Sequence, residues 1–162
     1  MESFKGIDII KLLISIAVCQ LAGFIGSLFT TPAIPTWYAS LNKPSFTPPD
    51  WLFSPVWIFL YFLMGISLFL VWHIGLKEKK VKIAIAIFAI QLILNSLWSV
   101  IFFGSKSILG GFIVIIFLWI AILATIISFS KISKAAGILL VPYILWVSYA
   151  AVLNFFLFWL NR

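Results

Sequence analysis

The sequence predicts an all-α membrane protein: a five-transmembrane-helix bundle with a Pro/Trp-rich lid loop between helices 1 and 2. Three observations carry that prediction. Of the 162 residues, 64% are hydrophobic and only 9% are charged, far from the balance of a water-soluble domain. Asp, Glu, Lys and Arg are missing from 12–42, 51–76, 83–105, 107–130 and 135–161, and each stretch can supply the roughly 20 residues that a bilayer-crossing helix needs. Segment 30–50 gathers Pro32, Pro35, Pro44, Pro48 and Pro49 around Trp37, Tyr38 and Phe46.

One domain covers 1–162, with helices expected at about 7–29, 51–74, 81–103, 107–128 and 135–160. In helix 1, the basic region 5–11 and the apolar run after it resemble a signal peptide. That run reaches Phe29, long for a cleaved signal, and further spans follow, so a retained membrane helix is expected. Ala22, Gly23, Gly26 and Ser27 form a small-residue stripe that permits close helix packing or leaves space for a ligand. Cys19 is the single cysteine, which rules out an internal disulfide or thiolate cluster and suits a small packing residue.

Helix 2 starts with Pro55 in its first turn, where no intrahelical N–H partner is lost. Trp57, Tyr61, Met64, Gly65 and Leu68 then share one face. On helix 3, Gln91, Asn95, Trp98 and Phe102 do the same, while Ala84, Ala86 and Ala89 are small residues suited to a helix–helix contact between copies. Helix 5 places Trp146, Ala150 and Leu153 together, with Asn154 at their edge and a kink expected at Pro142. The last three loops are short, so consecutive helices should be antiparallel neighbours.

The net charge of +7 sits at helix ends and does not point to nucleic acid. Lys5, Lys11, Lys77, Lys79, Lys80, Lys82, Lys131 and Lys134 fall on one side, against Lys43, Lys106 and Arg162 on the other. In a prokaryotic plasma membrane that asymmetry places the N-terminus in the cytoplasm, with anionic lipid facing the lysines. In the 30–50 loop, interfacial anchoring would account for the aromatic residues. The density of proline instead stiffens the backbone and favours a lid over the open end of the bundle.

No span interior carries a charge, which argues against proton pumping, ion-coupled transport or a charge-lined channel. His73, the lone histidine, stands beside Trp72 at the lysine-rich face, a poor metal or haem site, so no metal is expected. Patterns of nucleotide-binding loops and serine hydrolases are absent. What remains is aromatic and amide. Gln91, Asn95 and Asn154 should point inward, because an amide is costly against lipid tails. Trp57, Trp98 and Trp146 lie inside their spans, whereas tryptophan usually collects at the membrane surface. Indoles and a few amides around a cavity suit a flat, hydrophobic, sparsely polar ligand such as a porphyrin or a sterol.

These residues resemble the TspO/MBR family of tryptophan-rich sensory and translocator (peripheral benzodiazepine receptor) proteins. The likeness runs through Gly23 and Gly26-Ser27, then Trp37-Tyr38, Leu41, Lys43-Pro44, Pro48-Pro49, Trp51, Pro55-Val56-Trp57, Leu60-Tyr61 and Met64-Gly65. It continues through Gln91-Leu92, Asn95, Trp98, Phe102-Phe103-Gly104, Pro142-Tyr143, Trp146, Ala150 and Leu153-Asn154, nearly the whole chain. The resemblance implies a five-helix bundle, often dimeric. It implies a pocket under the first loop for porphyrins, haem-pathway intermediates, sterols and synthetic isoquinoline or benzodiazepine ligands. Carried over by position, Trp57, Tyr61, Asn95, Trp98, Trp146, Ala150 and Leu153 would line it, and Trp37, Pro48, Pro49 and Trp51 would form its lid. No cofactor is required; porphyrin or haem would be the ligand.

The expected function is therefore a membrane receptor or carrier for porphyrin-like ligands, working as a homodimer. A porphyrin-degrading enzyme dependent on light or oxygen, with Trp57 and Trp146 as redox-active indoles, is one alternative; a dimerising structural subunit is another. Two departures from the family pattern stand out. Phe46 replaces a common tryptophan, which alters one lid contact. Phe155 and Trp159 occupy the positions where animal members carry a sterol motif, which makes sterol transport a poor expectation.

Overall fold

A computed structural model describes residues 6–162. Its helices are α1 (Gly6–Ala33), α2 (Phe53–Trp72), α3 (Lys79–Ser99), α4 (Ile108–Ser130), α5 (Lys134–Leu139) and α6 (Val141–Leu160). α5 and α6 together make the last of five spans long and apolar enough to cross a membrane. The expected fold class is the observed one, and the differences lie at element ends. α1 runs through Pro32, because a proline in the last turn forfeits a single N–H and keeps helical φ. Of the lysines assigned to one membrane face, Lys5 lies outside the described residues.

Two interruptions have clear causes. The last span breaks at Leu140 just ahead of Pro142, which takes one of the first positions of α6, where its missing donor costs nothing. α3 ends in a π-helical turn, Val100–Gly104, and Lys106 follows with φ of 54°. Two consecutive rings on this turn, Phe102 and Phe103, are both buried.

α1 packs on α2 and α3, α4 lies between α3 and the last span, and α5 touches α2. Small residues set the closest approaches. A Cβ at Gly65 would lie 2.6 Å from the Ile16 Cα, so the backbones of α1 and α2 meet there. Ser96 Oγ donates to the Ala22 carbonyl at 2.9 Å and joins α3 to α1. At the lysine-rich face, Asp8 accepts from His73 Nδ1 at 3.0 Å, and Lys11 Nζ stands 5.9 Å from the centre of the Trp72 ring. Thus His73, expected as a simple interfacial residue, also ties α2 to α1. Ala84 is buried inside the bundle and is no contact between copies, whereas Ala86 and Ala89 are exposed. Cys19 is buried, as a packing residue should be.

Gly65→Ala should destabilise the bundle by about 1–3 kcal/mol through overpacking against backbone that cannot yield. Gly6→Ala, where a Cβ meets nothing within 4 Å, should leave the melting temperature in detergent unchanged.

Candidate functional site

Asn95 organises the interior. It lies on α3 at 3% exposure and hydrogen-bonds to tyrosines from two other spans. The Tyr61 hydroxyl of α2 donates to Asn95 Oδ1. Asn95 Nδ2 donates to the Tyr143 hydroxyl of α6 at 2.7 Å, and Tyr143 donates in turn to Gln91 Oε1 at 2.8 Å. Gln91 Nε2 faces the Met64 thioether at 3.9 Å. Because sulfur there can only accept, the chain of donation has one direction, and the Tyr61 proton is already committed to Asn95. Asn154, also inward as expected, accepts from Trp98 Nε1 at 3.1 Å and donates to the Ile108 carbonyl at 3.1 Å.

Next to this network lies a cavity of about 520 Å³, within the roughly 300–1,000 Å³ typical of small-molecule sites. Trp57, Tyr61, Asn95 and Trp98 line it. Each indole is steadied by a neighbour: Trp57 stacks on Tyr61 with centroids 5.6 Å apart, and Trp98 on Phe102 at 5.2 Å. The rest of the wall departs from expectation. Trp146, Ala150 and Leu153 are not part of it, and α1 supplies that side instead, with Gly23, Gly26, Ser27, Thr30 and Thr31.

The three residues of the last span pack in two different places. Leu153 is buried with Tyr38, Phe102, Phe103 and Leu157 in a second apolar core beneath the lid. Trp146 packs edge-on to Phe53 at 6.4 Å and lies 5.7 Å from Tyr149, and it and Ala150 border the main core. The α1 wall had a signal in the sequence, the small-residue stripe: Ala22 packs in the core, Ser27 lines the cavity, and Gly26 lines it while its backbone lies close to Ser99. Gly23 lines it too, with its backbone against the Tyr61 ring. Phe53, which nothing in the pattern singled out, also lines the cavity, as does Phe103, which the family likeness included without a role.

The 30–50 segment closes over this end of the bundle. Trp37 contacts Phe102 edge-on at 5.4 Å, and Tyr38 lies 2% exposed beside Phe103. Burial first, then the Asp50 carboxylate and Tyr149, hold the Tyr38 phenol above the ordinary tyrosine range, so it stays neutral. Lys43 Nζ donates to the carbonyls of Tyr38, Ala39 and Leu41 at 2.8, 3.3 and 3.1 Å and clamps the turn. Asn42 and Asn161 exchange hydrogen bonds at 2.9 Å, which ties the lid to the end of α6. The Phe46 carbonyl accepts from Tyr149, so phenylalanine in place of tryptophan keeps an anchor there. Of the other lid residues, Pro48 is half-buried, while Pro49 is exposed and Trp51 is 71% exposed and covers no part of the cavity. Among the described residues, no group of His, Cys, Asp and Glu side chains could hold a metal ion.

Fold and site together define a multi-pass membrane protein with an aromatic cavity in the lid-side half of its bundle. The chain belongs to the TspO/MBR family, whose model matches residues 15–160. It is 46% identical to the tryptophan-rich protein TspO of Chlorobaculum tepidum over 154 residues, 95% of this chain and 98% of that one. It is likewise 46% identical to the protein of the same name in Archaeoglobus fulgidus, covering 95% of this chain and 99% of that one. The translocator protein of Ovis aries is 34% identical, over 82% of this chain and 79% of the sheep protein.

Asn95→Leu should cost about 1–2 kcal/mol of stability, because the buried hydroxyls of Tyr61 and Tyr143 lose their shared partner. Denaturation in detergent measures this. Lys43→Met should leave the melting transition in place and speed amide hydrogen exchange in 38–41, the turn that the ammonium clamps.

Proposed function

We propose that this protein is a membrane receptor or carrier that binds a porphyrin or another flat hydrophobic molecule in the cavity between α1, α2 and α3. The observation that carries this reading is the wall itself. Two stacked indoles stand on different helices, with Tyr61 and Asn95 as the polar groups between them. Aromatic rings in such a site gain about 0.5–1.5 kcal/mol per well-placed pair beyond simple burial. A small number of fixed polar groups then orients the ligand. The absence of charge from the span interiors favours passive binding over ion-driven transport. In a prokaryotic plasma membrane the lysine asymmetry supports a cytoplasmic N-terminus, which would put the lid and the cavity end of the bundle on the far side of the membrane.

Titrating protoporphyrin in the dark while following tryptophan emission tests this reading. Saturable quenching is expected. Trp57→Phe and Trp98→Phe should each weaken binding by about two- to tenfold, the range that a lost aromatic contact represents. Trp146→Phe, outside the wall, should have the smaller effect. Quenching that never saturates, or an affinity indifferent to both Trp57→Phe and Trp98→Phe, would exclude the cavity as the site.

A further inference from the structure

The cavity is not sealed on its lipid side. Phe24 of α1 and Ile58 of α2 both belong to its wall, yet they are 60% and 59% exposed on the outside of the bundle. Gln20, Ser54 and Ile58 are shared between the cavity and a shallow outer groove that continues over Pro55, Phe59 and Phe62. The inner space and the membrane-facing surface therefore meet between α1 and α2.

The shape of this slot follows from the packing. The two backbones touch at Ile16 and Gly65, which closes the gap toward the lysine-rich face. One turn further on, Gln20 Nε2 donates to the Ile58 carbonyl at 3.0 Å and bridges the helices. Beyond that bridge, toward the lid, α1 and α2 line the cavity together through Phe24, Ser27, Ser54 and Trp57. An amide facing hydrocarbon needs a partner, and the bridge supplies one while fixing where the slot ends.

The lid end is more densely packed. Phe103 separates the cavity from the second core, in which Tyr38 and Phe102 are buried, and Thr30, Thr31 and Ile34 carry the wall toward the lid. The lid above is held by the Lys43 clamp, by Tyr149 and by the Asn42–Asn161 pair. Lifting the lid would have to break these contacts. A flat apolar molecule is moreover concentrated in the bilayer and scarce in water, because transfer out of water is favourable at roughly 25 cal/mol per Å² of apolar surface.

We propose that the ligand enters and leaves the cavity sideways from the lipid, through the slot between α1 and α2 whose lips are Phe24 and Ile58 and whose inner end is the Gln20–Ile58 bridge. This rests on the cavity being the ligand site. The lid then acts as a fixed roof, and the rate of exchange is set by the lips. Bulk added at a lip raises the barrier for both directions of passage, whereas loss of a wall contact raises the release rate alone.

The test uses the full chain in phosphatidylcholine–phosphatidylglycerol nanodiscs, with protoporphyrin as the probe and its own emission followed by stopped flow. Ile58→Trp should slow association and dissociation together by about fivefold, the effect of roughly 1 kcal/mol on a barrier. Phe24→Ala should speed both. Tyr149→Phe, which frees one lid anchor, should leave both rates at the wild-type values. Both lip positions are more than half exposed, so neither change disturbs the core. Normal saturable binding with rates indifferent to the two lip variants would overturn the lateral route and leave the binding site standing. So would a Tyr149→Phe protein that exchanges faster while the lip variants do not. A lip variant that changes dissociation alone would reduce that residue to a wall contact and also overturn the route. Failure of the wild-type protein to bind protoporphyrin at all would overturn the site and the route together.

Discussion

Inside a bilayer no water is available to satisfy a polar group, so each amide and hydroxyl must find its partner within the protein. Asn95 meets this constraint for three spans at once, joining Tyr61 on α2 to Tyr143 on α6. The tyrosine rings that reach it are long, and their lengths fix how far α2 and α6 stand from α3. Beside that fixed spacing, a small stretch of α1 around Gly26 and Ser27 leaves space unfilled. The cavity is thus a by-product of two rules: polar groups must meet, and nothing large has been placed opposite them on α1.

Glycine does the opposite work a few turns away. At Gly65 the missing side chain lets α1 and α2 touch, and at Gly23 the backbone of α1 rests on the Tyr61 ring. One helix is therefore both clamped and held apart along its length. The hydroxyls of Ser27 and Thr30 stay quiet in this arrangement, since each donates to a carbonyl of α1 itself, those of Phe24 and Gly26. They keep α1 helical and small-faced without adding unsatisfied donors to an apolar space.

The lengths of the charge-free stretches made the five spans legible, and the cost of an amide in lipid made the inward turn of Gln91, Asn95 and Asn154 legible too. Pro142 announced the break in the last span for the same kind of local reason. The contents of the space under the lid were not legible. Helical periodicity says which way Trp146, Ala150 and Leu153 point, but not whether another side chain has already taken the volume before them. For Leu153 that volume is taken by Phe102 and Phe103 of the π-helical turn and by Tyr38 of the loop, a long-range meeting that periodicity along one helix does not encode. The Asp8–His73 bond escaped notice for a related reason. Its partners are separated by 65 positions, and neither flanking pattern points to the other.

A ligand that already sits in lipid gains little from moving into an apolar cavity, since lipid tails are as apolar as leucine. Hydrophobic burial, which dominates binding from water, cannot supply selectivity here. Ring stacking and hydrogen bonding must do so, because hydrocarbon chains offer neither. This gives the one-way chain of donation a functional meaning. With its proton committed to Asn95, the Tyr61 hydroxyl is left with acceptor capacity only, while Asn95 Nδ2 donates one of its two hydrogens to Tyr143. Both residues belong to the wall that Trp57 and Trp98 also line. On the proposed reading, a molecule with a flat ring system and a polar edge would find contacts in that wall that hydrocarbon chains do not offer.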